Sequence, residues 1–276
     1  MAKPHRKFSI PLFLLSVALQ LTALLVAFWY FFPDMWATQI NAGPGATFLV
    51  FNCAHLYICF FEWGFHRYVL HAILVPWLAY FARSHRHHHG LTLIRLQMVA
   101  GSVERFILNR YPIVSADQYE DSAFPPYALA VFWLLFTPPL LVIQLLMPQA
   151  PIMLGGYLAI AWSMTGYEVF HAVEHFPYEW WKSATEHPRF GFIWRKVYGF
   201  HHFHHANVKS NEAISGFYGL PVADWVFGTY HQPKELLLEG RVATAKDFHV
   251  KPPIPFVRWL DNIAREQEAK IIRKAA

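Results

Sequence analysis

Four apolar runs divide the chain: residues 11–32, 47–61, 127–147 and 152–167. The first contains no charge and exceeds the roughly 20 residues that a helix needs to cross a bilayer. It is also too long for a signal-peptide core, and no small-residue cleavage site follows it cleanly, so it reads as an anchor. The second runs into Glu62 and the fourth into Glu168. The third contains Thr137-Pro138-Pro139, a pair of prolines expected to kink or break its helix. Short uncharged connections join runs one and two, and runs three and four, so the pattern predicts two transmembrane hairpins. Between the hairpins, residues 91–108 mix apolar positions with Arg95, Glu104 and Arg105, which predicts a helix lying at the interface. Residues 109–126 are polar and punctuated by proline, which predicts a surface loop. The end of the chain, residues 252–276, predicts an amphipathic helix with Phe256, Trp259, Leu260 and Ile263 on one side. The expected fold class is all-α: four membrane helices and a helical cap on one side.

Composition supports this reading. Of 276 residues, 55% are hydrophobic, 18% aromatic and only 15% charged, against about a quarter charged in ordinary soluble domains. The net charge of +5 is modest, is explained by topology, and gives no sign of a nucleic-acid partner. Lys3, Arg6 and Lys7 precede the first run; Arg67, Arg83, Arg86, Arg95, Arg105 and Arg110 follow the second; Lys182, Arg189, Arg195 and Lys196 follow the fourth. The two short connections carry no Lys or Arg. The positive-inside rule therefore places both termini in the cytoplasm. Cys53 and Cys59 lie in one apolar run and do not form a disulfide framework.

Candidate chemistry lies in the histidines. Ten of them form four clusters: His66 and His71; His85, His88 and His89; His171 and His175; His201, His204 and His205. Neutral imidazole is the commonest transition-metal ligand, and ten exceed what one ion can use. On a helix, positions i, i+3 and i+4 share a face, so clusters two, three and four can each aim their nitrogens together. His66 and His71 are five apart and diverge by about 140° on a regular helix. They reach different metals, or one metal across a distorted turn. All four clusters fall on the side assigned to the cytoplasm. His87 and His202 are out of phase and read as supporting or surface residues. His5, His231 and His249 read as surface residues. His55, within the second run, suits a function or a helix-to-helix hydrogen bond equally well. Glu62, Glu168, Glu174 and Asp224 are candidates to orient the ligating rings.

The motifs HRYVLH, HRHHH, HAVEH and HHFHH resemble the four histidine boxes of the fatty acid hydroxylase superfamily, which includes sterol desaturases and sphingolipid, fatty acid and carotenoid hydroxylases. The segment Leu220-Pro221-Val222-Ala223-Asp224-Trp225-Val226-Phe227-Gly228-Thr229 resembles that family's closing motif. The likeness covers roughly residues 50–230. It implies an integral-membrane, non-haem di-iron oxidoreductase that uses O2 to hydroxylate or desaturate a lipid C–H bond. It also implies that the ten box histidines ligate two Fe ions, with zinc a possible substitute in purified protein. Electrons are expected from an external protein of cytochrome b5 or ferredoxin type, since the chain shows no such domain. The expected location is a bacterial inner membrane or the endoplasmic reticulum. The long stretch between His89 and His171 departs from the pattern and leaves the precise substrate open. The alternative is a membrane metal transporter or metal-binding protein, whose ligands are expected near the bilayer midplane on broken helices.

Overall fold

The computed structural model describes residues 8–98, 104–115, 118 and 123–275. It is mainly helical: α1 (Ile10–Phe31), α2 (Pro33–Asn41), α3 (Gly43–Phe65), α4 (Ala79–Leu91), α5 (Ala128–Leu146), α6 (Ile152–Glu174), α7 (Tyr178–Thr185), α8 (Gly191–His204), α9 (Val222–Phe227) and α10 (Pro255–Ala275). A π-helical turn, His66–Leu70, continues α3 without a break. Lys3, Arg6 and Lys7, and most of residues 116–122, lie outside the described residues.

Among the described residues, three helices are long and apolar enough to cross a membrane: Ile10–Phe31, Gly43–Leu70 and Ala128–Leu146. The fourth expected span, in α6, is not among them. Its 23 residues include Gly155, Gly156, Ser163, Thr165 and Gly166, because α6 sits in the middle of the bundle and faces protein rather than lipid. A Cβ on Gly155 would lie 2.6 Å from Val50 of α3, and one on Gly156 would lie 2.7 Å from Leu140 of α5. Small residues thus let three helices meet closely. Trp133, Tyr157, Ile160 and Met164 form the core between them. At the end remote from the histidines, Gln39 of α2 donates to Gln144 of α5 at 3.0 Å and accepts from the Leu154 backbone N–H at 3.2 Å.

Three expectations need correction. Residues 91–108 hold no interfacial helix over their described part. Ile94–Met98 (β1) and Arg105–Asn109 (β2) pair as an antiparallel ribbon, with Leu96 opposite Ile107. The alternation Ile94-Arg95-Leu96-Gln97 has period two, so Ile94 and Ile107 are buried while Arg95 and Arg105 are exposed. The class is therefore helical with a β-ribbon, not all-α. Helix α5 also runs unbroken through Pro138 and Pro139, with the Thr137 hydroxyl donating to the Trp133 carbonyl at 2.7 Å. Membrane helices tolerate proline where neighbours and hydroxyls satisfy freed backbone groups. Finally, α10 is the expected amphipathic helix, but Val257, Leu260 and Ala264 pack against Trp63, Tyr68 and Ala213, whereas Phe256 and Trp259 are exposed.

Candidate metal centre

The polypeptide brings all ten box histidines together at one end of the bundle. They form two groups, and within each the ligand atoms all lie within 4.8 Å of one another. His66, His71, His85, His89 and His204 make group A. His88, His171, His175, His201 and His205 make group B. The π-turn explains the five-residue spacing of the first box. Its closing bond runs from the His71 N–H to the His66 carbonyl, 3.0 Å, so the two imidazoles return to one face with their Nε2 atoms 3.1 Å apart. Single π-turns recur at functional sites for this kind of re-aiming.

Helical geometry separates the i+3 histidine from the i, i+4 pair. Residues i+3 and i+4 lie on opposite sides of residue i, about 100° apart. In α4, His85 and His89 serve group A while His88 turns to group B. In α8 and its C-cap the assignment is reversed: His201 and His205 serve group B and His204 group A. The two helices lie along the seam between the groups, and the imidazoles of His89 and His205 stack across it at 4.0 Å.

The residues fit metal. Ring nitrogens approach at 2.9 Å (His66 to His85 and His71 to His204), 3.1 Å (His85 to His89) and 3.2 Å (His175 to His201). Two nitrogens each about 2.1 Å from one ion and at right angles around it stand about 3.0 Å apart. Both ring nitrogens of His88 are buried without a hydrogen-bond partner, a costly arrangement unless an ion takes up the lone pair. Burial first, and the neighbouring imidazoles second, hold His71, His85, His88, His89, His201 and His205 well below the ordinary pKa of 6.5, with His175 and His204 lowered likewise. The rings are therefore neutral, the form that binds metal.

Backbone carbonyls, not the expected carboxylates, orient these rings. Nδ1–H donates to the Glu212 carbonyl from His66 (2.6 Å), to Tyr111 from His175 (2.7 Å), to Ser210 from His204 (2.7 Å) and to Thr92 from His205 (3.1 Å). A carbonyl only accepts, so Nδ1 carries the proton and Nε2 is left for the ion. Glu62 instead accepts from the backbone and hydroxyl of Ser215, and Glu168 from the Phe124 backbone. Glu174 is buried with Oε2 unpartnered. Asp224 acts one step removed: it accepts from the N–H groups of Glu212 and Ala213 at 2.9 Å and from Thr229 at 2.6 Å. Between the two carbonyls that serve group A stands Asn211, at φ 59°, its side chain bonded to Phe200 and His231.

His202 is fully buried between Tyr111 and Tyr198 and bonded to Asn109 at 3.0 Å, in neither group. His87 and His249 are exposed; His231 is half-buried and stacks on Phe203. His55 takes the helix-to-helix reading: Nδ1–H donates to Ser163 at 2.8 Å, and Nε2 accepts from the Tyr218 backbone. Sequence reasoning missed Glu212, Tyr111 and Ser210, which reach the rings through main-chain carbonyls, and Thr92, which reaches His205 through both its carbonyl and its hydroxyl, the latter at 2.9 Å. It also missed Tyr167, whose ring lies 6.4 Å from that of His66 and 5.8 Å from that of His171.

A narrow apolar cavity reaches this end of the bundle between α3, α5 and α6. Phe61, Phe65, Phe132 and Met164 line it, and His66 and Tyr167 stand at its inner end. A polar crevice beside His71, lined by Arg67, Lys209, Asp261 and Glu268, approaches group A from the opposite direction. Comparison with family models, curated proteins and solved structures finds no match for this chain.

Proposed function

We propose that this chain is an integral-membrane, dinuclear non-haem iron oxidoreductase that uses O2 to hydroxylate or desaturate a C–H bond of a lipid. One observation carries the reading: two adjoining groups of five imidazoles lie at the inner end of an apolar cavity flanked by membrane-length helices. Zinc has no redox step, and imidazole with open positions suits iron. Iron would supply the electron transfers and O2 activation that side chains cannot. The protein's own part is to hold the ten rings together, four of them in fixed tautomers, keep water from the cavity and align one carbon against His66 and Tyr167. Arg67 supports group A. It donates to Glu212 at 2.7 Å and bidentately to Asp261 at 2.9 and 2.7 Å, tying α10 to the loop whose Glu212 carbonyl orients His66.

In this reading both termini and the metal groups are cytoplasmic, α6 completes a fourth crossing inside the bundle, and electrons arrive from a separate cytochrome b5 or ferredoxin-type donor. Transport is the weaker alternative, because the ligands gather at one end of the helices rather than midway. The deciding experiment is lipid mass spectrometry of cells with and without the gene, with metal analysis of untagged protein. Gain of one oxygen atom or loss of two hydrogens in a lipid, with about two ions per chain, is the expected result. An unchanged lipid profile beside metal uptake into proteoliposomes would overturn it.

A further inference from the structure

Helices α3 and α5 both pack along α6 but have little backbone contact with each other. Side chains alone close the cleft between them. Phe61 meets Phe136 at 4.9 Å and Phe132 at 6.4 Å between ring centroids; Phe65 meets Phe132 at 6.0 Å; Tyr57 meets Phe136 at 6.4 Å. Outside these rings Tyr57, Val131 and Leu135 are exposed. Both walls belong to helices long and apolar enough to cross a membrane, so the cleft faces bilayer hydrocarbon. Behind the rings lies the cavity that ends at His66, with Ile160 and Met164 of α6 as its floor.

We propose that the α3–α5 cleft is a side entrance through which the aliphatic chain of a bilayer lipid reaches the metal groups, with Phe61, Phe65, Phe132 and Phe136 as its gate. The substrate's polar end stays outside. Two of the polar side chains in the wall are already engaged, Glu62 with Ser215 and Ser163 with His55, so neither is available to a headgroup, and the other two, His66 and Tyr167, stand at the inner end. Rings at these spacings open a slot for a thin flexible chain by turning one at a time, whereas a rigid fused-ring lipid would displace several at once. From Ile58 to His66 the cavity follows α3 for eight residues, about 12 Å at 1.5 Å per residue. That length sets how far a chain runs before it meets the ligands. The entrance deepens the lipid-oxidation reading, but its test needs no turnover.

The test is photolabelling in phosphatidylcholine vesicles doped with a phosphatidylcholine bearing a diazirine at the end of one acyl chain. Labelled residues are mapped by peptide mass spectrometry, with and without excess unlabelled long-chain fatty acid. Labelling of Phe61, Phe132 and Met164 should be suppressed by the competitor, while that of lipid-facing Leu134 and Leu145 should not. Ile160→Trp should abolish the competed fraction and leave metal content at the wild-type level. Phe132→Ala, which only removes a gate ring, should raise it. Equal, uncompeted labelling at Phe61 and Leu145 would overturn the entrance, as would competed labelling that survives in Ile160→Trp. Cavity labelling by a diazirine sterol but not by the acyl probe would overturn the assignment to an aliphatic chain. Metal content and lipid products are scored separately, so failure of the redox reading leaves this result standing, and the reverse.

Discussion

His204 and His205 are neighbours in the chain yet serve different groups, which makes single substitutions informative about each ion separately. His204→Ala should lower group A occupancy more than group B, and His205→Ala the reverse, each abolishing turnover; metal analysis beside product assay checks both. His202→Gln should keep both ions and lose roughly 10- to 100-fold in activity, the usual cost of disturbing a residue that supports ligands. Equal metal loss at all three positions would mean the helical phase is misassigned. Acidity acts on the same imidazoles. Their pKa values are lowered by burial in the folded chain, so as pH falls below about 6.5 the unfolded chain takes up protons first. Stability of the metal-free protein should therefore be flat above that pH and fall below it, by up to about 1.4 kcal/mol per pH unit for each such imidazole. Denaturant titration of chelated protein between pH 5 and pH 8 on the buffer scale spanned by ordinary histidines would measure the slope, and a pH-independent midpoint would refute it.

Among the elements, the π-turn is the most exposed to a clean test. Inserting one alanine after Val69 sets the two histidines six apart and turns His71 about 100° away from group A. The expected product is a folded protein with about one ion per chain instead of two; two ions retained would show that the turn is dispensable. Helix α10 offers a second test. Asp261→Ala leaves Arg67, which is only 5% exposed, with Glu212 and the Lys209 carbonyl but without its bidentate partner. Losing hydrogen bonds to a charged group costs about 2 kcal/mol, so thermal unfolding should shift down and chelator should strip group A faster than wild type. These elements also mark how far sequence reaches. The i, i+3, i+4 spacing named eight of the ten histidines that meet here, since helical phase is local, whereas His66 and His71 share a face only because of the π-turn between them. Which group each joins depends on how α4 faces α8, and that is tertiary. The ribbon carries a legible period of two, but over only five residues a strand, with Arg95 and Arg105 suggesting an interfacial helix instead. The fourth apolar run was legible as a helix, whereas its central place in the bundle depends on Gly155 and Gly156 meeting Val50 and Leu140.

For the molecule as a whole, the metal groups sit where α3 and α6 end, so sidedness and chemistry are tied. Cysteine labelling at Gln149, in the α5–α6 turn, should report the face opposite to Ser183 in α7; the same face for both would rule out a hairpin there. The crossing of α4 and α8 has a consequence for loading. Each helix contributes donors to both groups, so the first ion to bind holds both helices in place and thereby arranges three of the five donors that the second ion needs in group B, or three of five in group A. The ordering cost is met once. Binding should then be cooperative: at half saturation the population should divide mainly into empty and fully loaded chains, with singly loaded chains scarce, a distribution that native mass spectrometry resolves directly.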